Sequence, residues 1–128
     1  MPPEHGTPED WVRYAKRDLG LASIPASDDA MRECLAFHIQ QAVEKSIKAV
    51  LVSRSIDFPY THNLKILLDL LPSDLSLPVD ADEVAGLTDY VVSGRYPGEY
   101  EPVTKEDFDK ALRLTESVVK WAEDTIGR

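Results

Sequence analysis

The stretch FHIQQAVEKSIKAV, from Phe37 to Val50, contains neither glycine nor proline, and its apolar members recur at steps of three and four residues. It reads as the interior of a helix. Working outward, Ser27, Asp28 and Asp29 supply polar residues suited to an N-terminal cap, and the pattern runs on to about Ser53 or Arg54, where DFPYTHN interrupts it. Met31, Cys34, Leu35, Ala42 and Ala49 lie on one side of this helix, while Ile39, Val43, Ile47 and Val50 turn to the next. Apolar residues thus cover more than half of its circumference, as expected of the central member of a bundle or of a subunit interface.

The flanking sequence supplies partners for such a helix. Met1 to Gly6 is expected to fray. Thr7 before Pro8, Glu9 and Asp10 provides a capping hydroxyl, a proline at the first helical position and acids at the positive helix end. Trp11, Tyr14, Ala15, Leu19 and Ala22 follow at helical spacing until Pro25 breaks the pattern. Leu64 to Leu71 predicts a short helix capped by Thr61 or Asn63 and stopped by Pro72. Ala81 to Val92 predicts another, closed by Gly94, and Thr104 with Asp107 opens the last, with Phe108, Ala111, Leu112, Thr115, Val118, Val119 and Ala122 inward. No stretch alternates as a strand would. The expected fold is all-α: one domain over residues 1–128, an antiparallel four-helix up-and-down bundle with a short fifth helix.

Polar residues interrupt the apolar surface of the long helix. At about 100° per residue, with His38 at zero, Lys45 lies at roughly −20° and Gln41 at roughly −60°, in the same sector as the apolar Met31 and Ala49 at about +20° and Cys34 and Val52 at about −40°. The three side chains are close enough in register to meet. If they are buried they need partners from the fold, from a second subunit or from an anionic ligand. Glu44 and Lys48 form a second pair four residues apart, expected to be an ordinary surface pair.

Charge narrows the function classes. The chain of 128 residues carries a formal net charge of −9, concentrated between Asp69 and Asp109, where eleven acids face only Arg95 and Lys105. Long-range repulsion of phosphate backbones disfavours non-specific nucleic-acid binding, although a small cationic pocket remains compatible. The one cysteine, Cys34, excludes an intramolecular disulfide, and no apolar run spans a bilayer, so a cytoplasmic protein with no membrane partner is expected. His38 and His62 belong to no spaced ligand cluster, which argues against a metal, and neither a phosphate-binding glycine loop nor any other cofactor signature is present. Arg95, beside Tyr96 in the turn-rich RYPGEYEP, is nearly the only cation of the acidic segment. It suits either the carbonyls and acids of its own fold or a phosphate, with Tyr96 stacking.

CLAFHIQQAVEKSIKAVLVSRSIDFPYTHNL, then VVSGRYPGEY, and a closing helix ending VVKWAEDT resemble the HEPN family, the higher-eukaryote and prokaryote nucleotide-binding domain, from about Trp11 to Trp121. The resemblance implies a five-helix bundle that often dimerises, in prokaryotes frequently encoded beside a minimal nucleotidyltransferase as a toxin and antitoxin pair; some members are metal-independent ribonucleases, and others bind nucleotides or serve as interaction modules. By position, His38, Gln41, Glu44, Lys45 and Lys48 match the second-helix signature, His62 the TH element, and Arg95, Tyr96 and Pro97 the RYP element. Ribonuclease members carry an Arg followed, after a few residues, by a His. No His follows Arg95 in this chain.

The resulting expectation is a homodimeric, non-catalytic nucleotide-binding or partner-binding module. His38, Gln41, Lys45, Arg95 and Tyr96 would form its site: Lys45 and Arg95 on phosphate, His38 and Gln41 hydrogen-bonding, Tyr96 stacking. The alternative is a divergent ribonuclease acting on RNA through Arg95 with His38 or His62. A third possibility makes the polar band a registry device at a dimer interface.

Overall fold

The computed structural model describes residues 6–90 and 104–127; Arg95, Tyr96 and Pro97 lie outside them, as do residues 1–5. The helices are α1 (Pro8–Ala22), α2 (Asp29–Ser53), α3 (Leu64–Asp69), α4 (Ala81–Gly86) and α5 (Lys105–Ile126), and α4 continues as a 3-10 turn over Leu87–Tyr90. There is no strand among the described residues. The protein is all-α, as its sequence predicts.

Local chemistry sets the helix starts. Thr7 Oγ1 accepts the Asp10 N–H while the Asp10 carboxylate accepts the Thr7 N–H, a reciprocal capping box, and Pro8 occupies the first turn, where no N–H is needed. Asp28 caps α2 through the Met31 N–H at 2.8 Å, Asn63 caps α3, Asp80 caps α4 and Thr104 caps α5. Thr61, the other cap candidate for α3, accepts the Asn63 N–H one step earlier. The expected helix over 81–92 divides into the six residues of α4 and the 3-10 turn, with Val91 and Val92 outside the described residues.

Three hydrophobic clusters fix the helix directions. Trp11 and Val12 of α1 pack with Ala49 and Val50 of α2 and Ala122 of α5; Ala15 packs with Ala42 and Val119; Ala22 joins the larger cluster containing Leu35 and Ala36. Helix α1 therefore runs against both α2 and α5, which run in the same sense. Helices α3 and α4, packed on each other, supply the return leg between those two. The main core is Ile39, Val43, Ile47 and Leu51 of α2 against Leu64, Leu67, Val84 and Leu87 on one flank and Phe108, Ala111, Leu114 and Val118 on the other. Helix α2 touches every neighbour, so from Ala42 to Leu51 all residues but Lys45 are buried. Such a helix has almost no solvent face on which to place its polar residues.

Helix α2 ends in a Schellman turn. The Ile56 N–H donates to the Leu51 carbonyl at 2.9 Å and the Ser55 N–H to that of Val52 at 3.0 Å. Ser55 takes the left-handed conformation, φ 57°, that glycine more often supplies. The turn throws residues 55–62 back across the flank of α2.

Candidate functional site

Two buried carboxylates organise the polar residues of α2. The first, Asp18, comes from α1 and sits on its inward stripe one turn before Ala22 and one turn after Ala15. Its Oδ1 lies 2.9 Å from His38 Nδ1 and its Oδ2 2.6 Å from Lys45 Nζ. The Lys45 ammonium also approaches the Tyr14 ring, 5.9 Å from its centroid, and Phe37 meets the edge of His38. An ammonium with 12% side-chain exposure is held by a carboxylate of the adjacent helix, a neutralised pair that cross-links α1 to α2.

The second carboxylate, Glu44, is itself on α2. Its Oε2 accepts Lys48 Nζ at 3.0 Å, and its Oε1 accepts Gln40 Nε2 at 3.2 Å and meets His62 Nδ1 at 2.8 Å. Gln40 Nε2 also donates to the His62 carbonyl at 3.0 Å, and Gln41 Nε2 donates to Gln40 Oε1 at 2.8 Å. The side chains of Glu44 and Lys48 are only 4% and 7% exposed, so this is a buried ion pair and not the surface pair their spacing suggested. Burial follows from packing, because Trp11 and Phe58 cover the ammonium, with ring centroids at 5.6 Å and 5.4 Å. The network also fastens the loop to the helix at His62.

Beside this network opens a cleft of about 860 Å³, lined by Trp11, Gln41, Glu44, Lys48 and Val52 from the two helices and by residues of the segment 55–62, including Asp57, Phe58, Tyr60 and His62. Its volume falls within the range, roughly 300–1,000 Å³, of small-ligand sites. Trp11 meets Phe58 edge-on at 6.3 Å, and its buried indole N–H has no acceptor among the described residues. A carboxylate at His62 Nδ1 keeps the ring proton on that nitrogen, so in the neutral ring Nε2 retains its lone pair. Tyr60 packs edge-on against the same ring. No three His, Cys, Asp or Glu residues among those described could share a metal ion.

The sequence-predicted residues are therefore divided. His38 and Lys45 meet, but through Asp18. Gln41 turns away to Gln40 and the Glu44 network, and His62 joins Glu44 from the loop. Arg95 and Tyr96 lie outside the described residues. Sequence reasoning missed Asp18 and Gln40, although Asp18 occupies a stripe position with Trp11, Ala15 and Ala22, a spacing that places it inside. It also missed the cleft, whose walls come from residues distant in sequence. No helix among the described residues is long and apolar enough to cross a membrane.

Comparison with known proteins gives a consistent picture. The family model of the HEPN domain matches residues 8–125. A curated relative, "Putative toxin MJ1304" of Methanocaldococcus jannaschii, is 27% identical over 139 aligned residues, covering 89% of this chain and 84% of that protein. The crystal structure of ST0689, an archaeal HEPN homologue, superposes with a TM-score of 0.65 at 24% identity, covering 94% of this chain and 98% of the other, a likeness of fold.

Proposed function

Because the chain belongs to the HEPN domain family, we propose that it is a non-catalytic, cytoplasmic partner-binding module, working as a homodimer in a toxin–antitoxin-type pair with a minimal nucleotidyltransferase. One observation carries the choice of partner binding over nucleotide binding. Lys45 and His38 are held by Asp18, and Lys48 is held by Glu44, so each cationic group of the α2 band already faces a buried carboxylate. A phosphate at this band would have to displace a carboxylate from each cation. Nucleotide binding would then rest on Arg95 and Tyr96. The toxin designation of the archaeal relative supports the pairing.

The test is co-expression with the nucleotidyltransferase encoded nearest the gene. A complex that survives gel filtration, together with no calorimetric signal from ATP, GTP, UTP or AMP, is the expected result. Saturable nucleotide binding lost in Arg95→Ala, with no complex, would replace this reading by nucleotide recognition.

A second reading, a divergent metal-independent ribonuclease, draws on the Glu44–His62 pair. A carboxylate fixes the ring through Nδ1 in a cleft where Nε2 can take or give a proton. Cleavage of RNA in the presence of a chelator, lost in His62→Ala and in Arg95→Ala, would establish it.

A further inference from the structure

The two ends of the cleft are built from the same kinds of group, and among the described residues only the inner one has a cationic side chain. At the inner end the Lys48 ammonium sits near the rings of Trp11 and Phe58 with the Glu44 carboxylate at 3.0 Å. The exposed lining residues Asp57 and Tyr60, three residues apart in the loop, supply another carboxylate and another aromatic ring at the outer rim. Tyr60 is 83% exposed, the most exposed large hydrophobic side chain among the described residues, and Asp57, also exposed, forms no ion pair or hydrogen bond with any described residue. Gln41 contributes a further acceptor. Its Nε2 is given to Gln40, which leaves Oε1 without a donor among the described residues.

The charge of the lining has a definite sign. Among the described lining residues Glu44 and Asp57 oppose Lys48, two acids against one base, so with His62 counted as neutral they carry one excess negative charge, within a chain of net charge −9. Such a field repels phosphate and draws a cation. The buried Trp11 N–H at the inner end is a donor unused among the described residues, but the exposed groups, the Asp57 carboxylate and the Tyr60 ring, are an acceptor and a ring face, which suit a donor-only, planar, cationic side chain. We propose that the outer end of the cleft receives an arginine side chain of a protein partner, its guanidinium stacked on Tyr60 and paired with Asp57. The proposal rests on the reading of this chain as a partner-binding module. Arginine fits better than lysine because its planar group stacks on a ring, presents two parallel N–H donors to a carboxylate and is more weakly hydrated.

The experiment is an NMR titration of the full chain with acetyl-Gly-Arg-Gly-amide and with the lysine and citrulline counterparts. The arginine peptide should shift the Tyr60 ring and the Asp57 resonances saturably, the lysine peptide should bind several-fold more weakly, and the uncharged citrulline peptide should leave them in place. Tyr60→Ala and Asp57→Asn, both at exposed positions, should each weaken binding by roughly three- to ten-fold with an unchanged circular dichroism spectrum. Equal shifts with citrulline and arginine would overturn the proposal, as would no perturbation at Tyr60 at millimolar peptide. If the peptide binds only after Arg95→Ala, the slot belongs to the chain's own arginine and the assignment to a partner falls. The titration uses no nucleotidyltransferase, so its failure is distinguishable from failure of the complex to form.

Discussion

Glu44→Leu should be among the most damaging single changes available to this fold. The Lys48 ammonium lies 3.0 Å from the Glu44 carboxylate, and both side chains are almost removed from water. At an effective dielectric constant of about 20 the gross attraction at this distance is roughly 5 kcal/mol, and removing one member of a buried pair typically costs about 3–5 kcal/mol, since the remaining charge stays buried. The Trp11 and Phe58 rings offset up to about 2 kcal/mol of that penalty, while Gln40 and His62 each lose an acceptor. The expected loss for Glu44→Leu is therefore about 3–4 kcal/mol. Lys48→Met should cost less, about 1–2 kcal/mol, because the carboxylate keeps its other two donors. The double substitution removes both charges and should also lose only about 1–2 kcal/mol, a coupling of about 3 kcal/mol. Urea unfolding followed by far-UV circular dichroism, at one protein concentration, would show Glu44→Leu as a midpoint lowered by roughly 2 M. Single losses below about 1 kcal/mol that simply add would refute the reasoning, since they would mean that water already screens the pair.

Three further outcomes are expected. Asp18→Asn strands the ammonium of Lys45 between α1 and α2 and should lower stability by about 2–4 kcal/mol in the same assay. Ser55→Gly relieves a left-handed backbone position and should raise stability by up to about 1 kcal/mol, read as a higher urea midpoint. The Asp74 carboxyl is held below the usual aspartate range, first by its hydrogen bond from Arg54 and also by the charge of that guanidinium. Because its folded-state pKa is depressed, the stability it adds is present above the unfolded-state pKa and is lost as pH falls through the folded one. Arg54→Ala should return the NMR-titrated pKa of Asp74 to its ordinary range and remove that acid-side contribution.

Much of the architecture could be read from residues alone, because caps and periodicity are local signals. Thr7, Asp28 and Thr104 each cap where their sequence context indicates, and the limits of α2 follow from Asp28 and the interruption after Arg54. The site was less legible, since its geometry depends on which helix lies against which. A Glu and a Lys four residues apart have the same spacing on a solvated face as inside a bundle, and nothing local to α2 reveals that Trp11 and Phe58 cover Lys48. A signal did exist. A helix apolar on nearly every side leaves its polar members no exit to water, and that reasoning places Gln40 and Glu44 inside as firmly as it does His38 and Lys45. The short spacing that puts His38, Gln41 and Lys45 in one sector also hid their division, because Asp18 reaches only two of them.

The loop from Ser55 to His62 is clamped at both ends and open in the middle. Its first residues are fixed by the bonds that Ser55 and Ile56 donate to the end of α2, and its last by the hold of Gln40 and Glu44 on His62. Asp57 and Tyr60 hang from the arch between these anchors, exposed and outside the hydrogen-bond network that secures it. Mutation can therefore explore their identities at little cost to folding, whereas the anchor positions are held by several bonds at once. Under the proposed partner-binding role, relatives built on the same helices would trade one partner for another by rewriting a few residues of this arch, with the bundle serving as an unchanging handle.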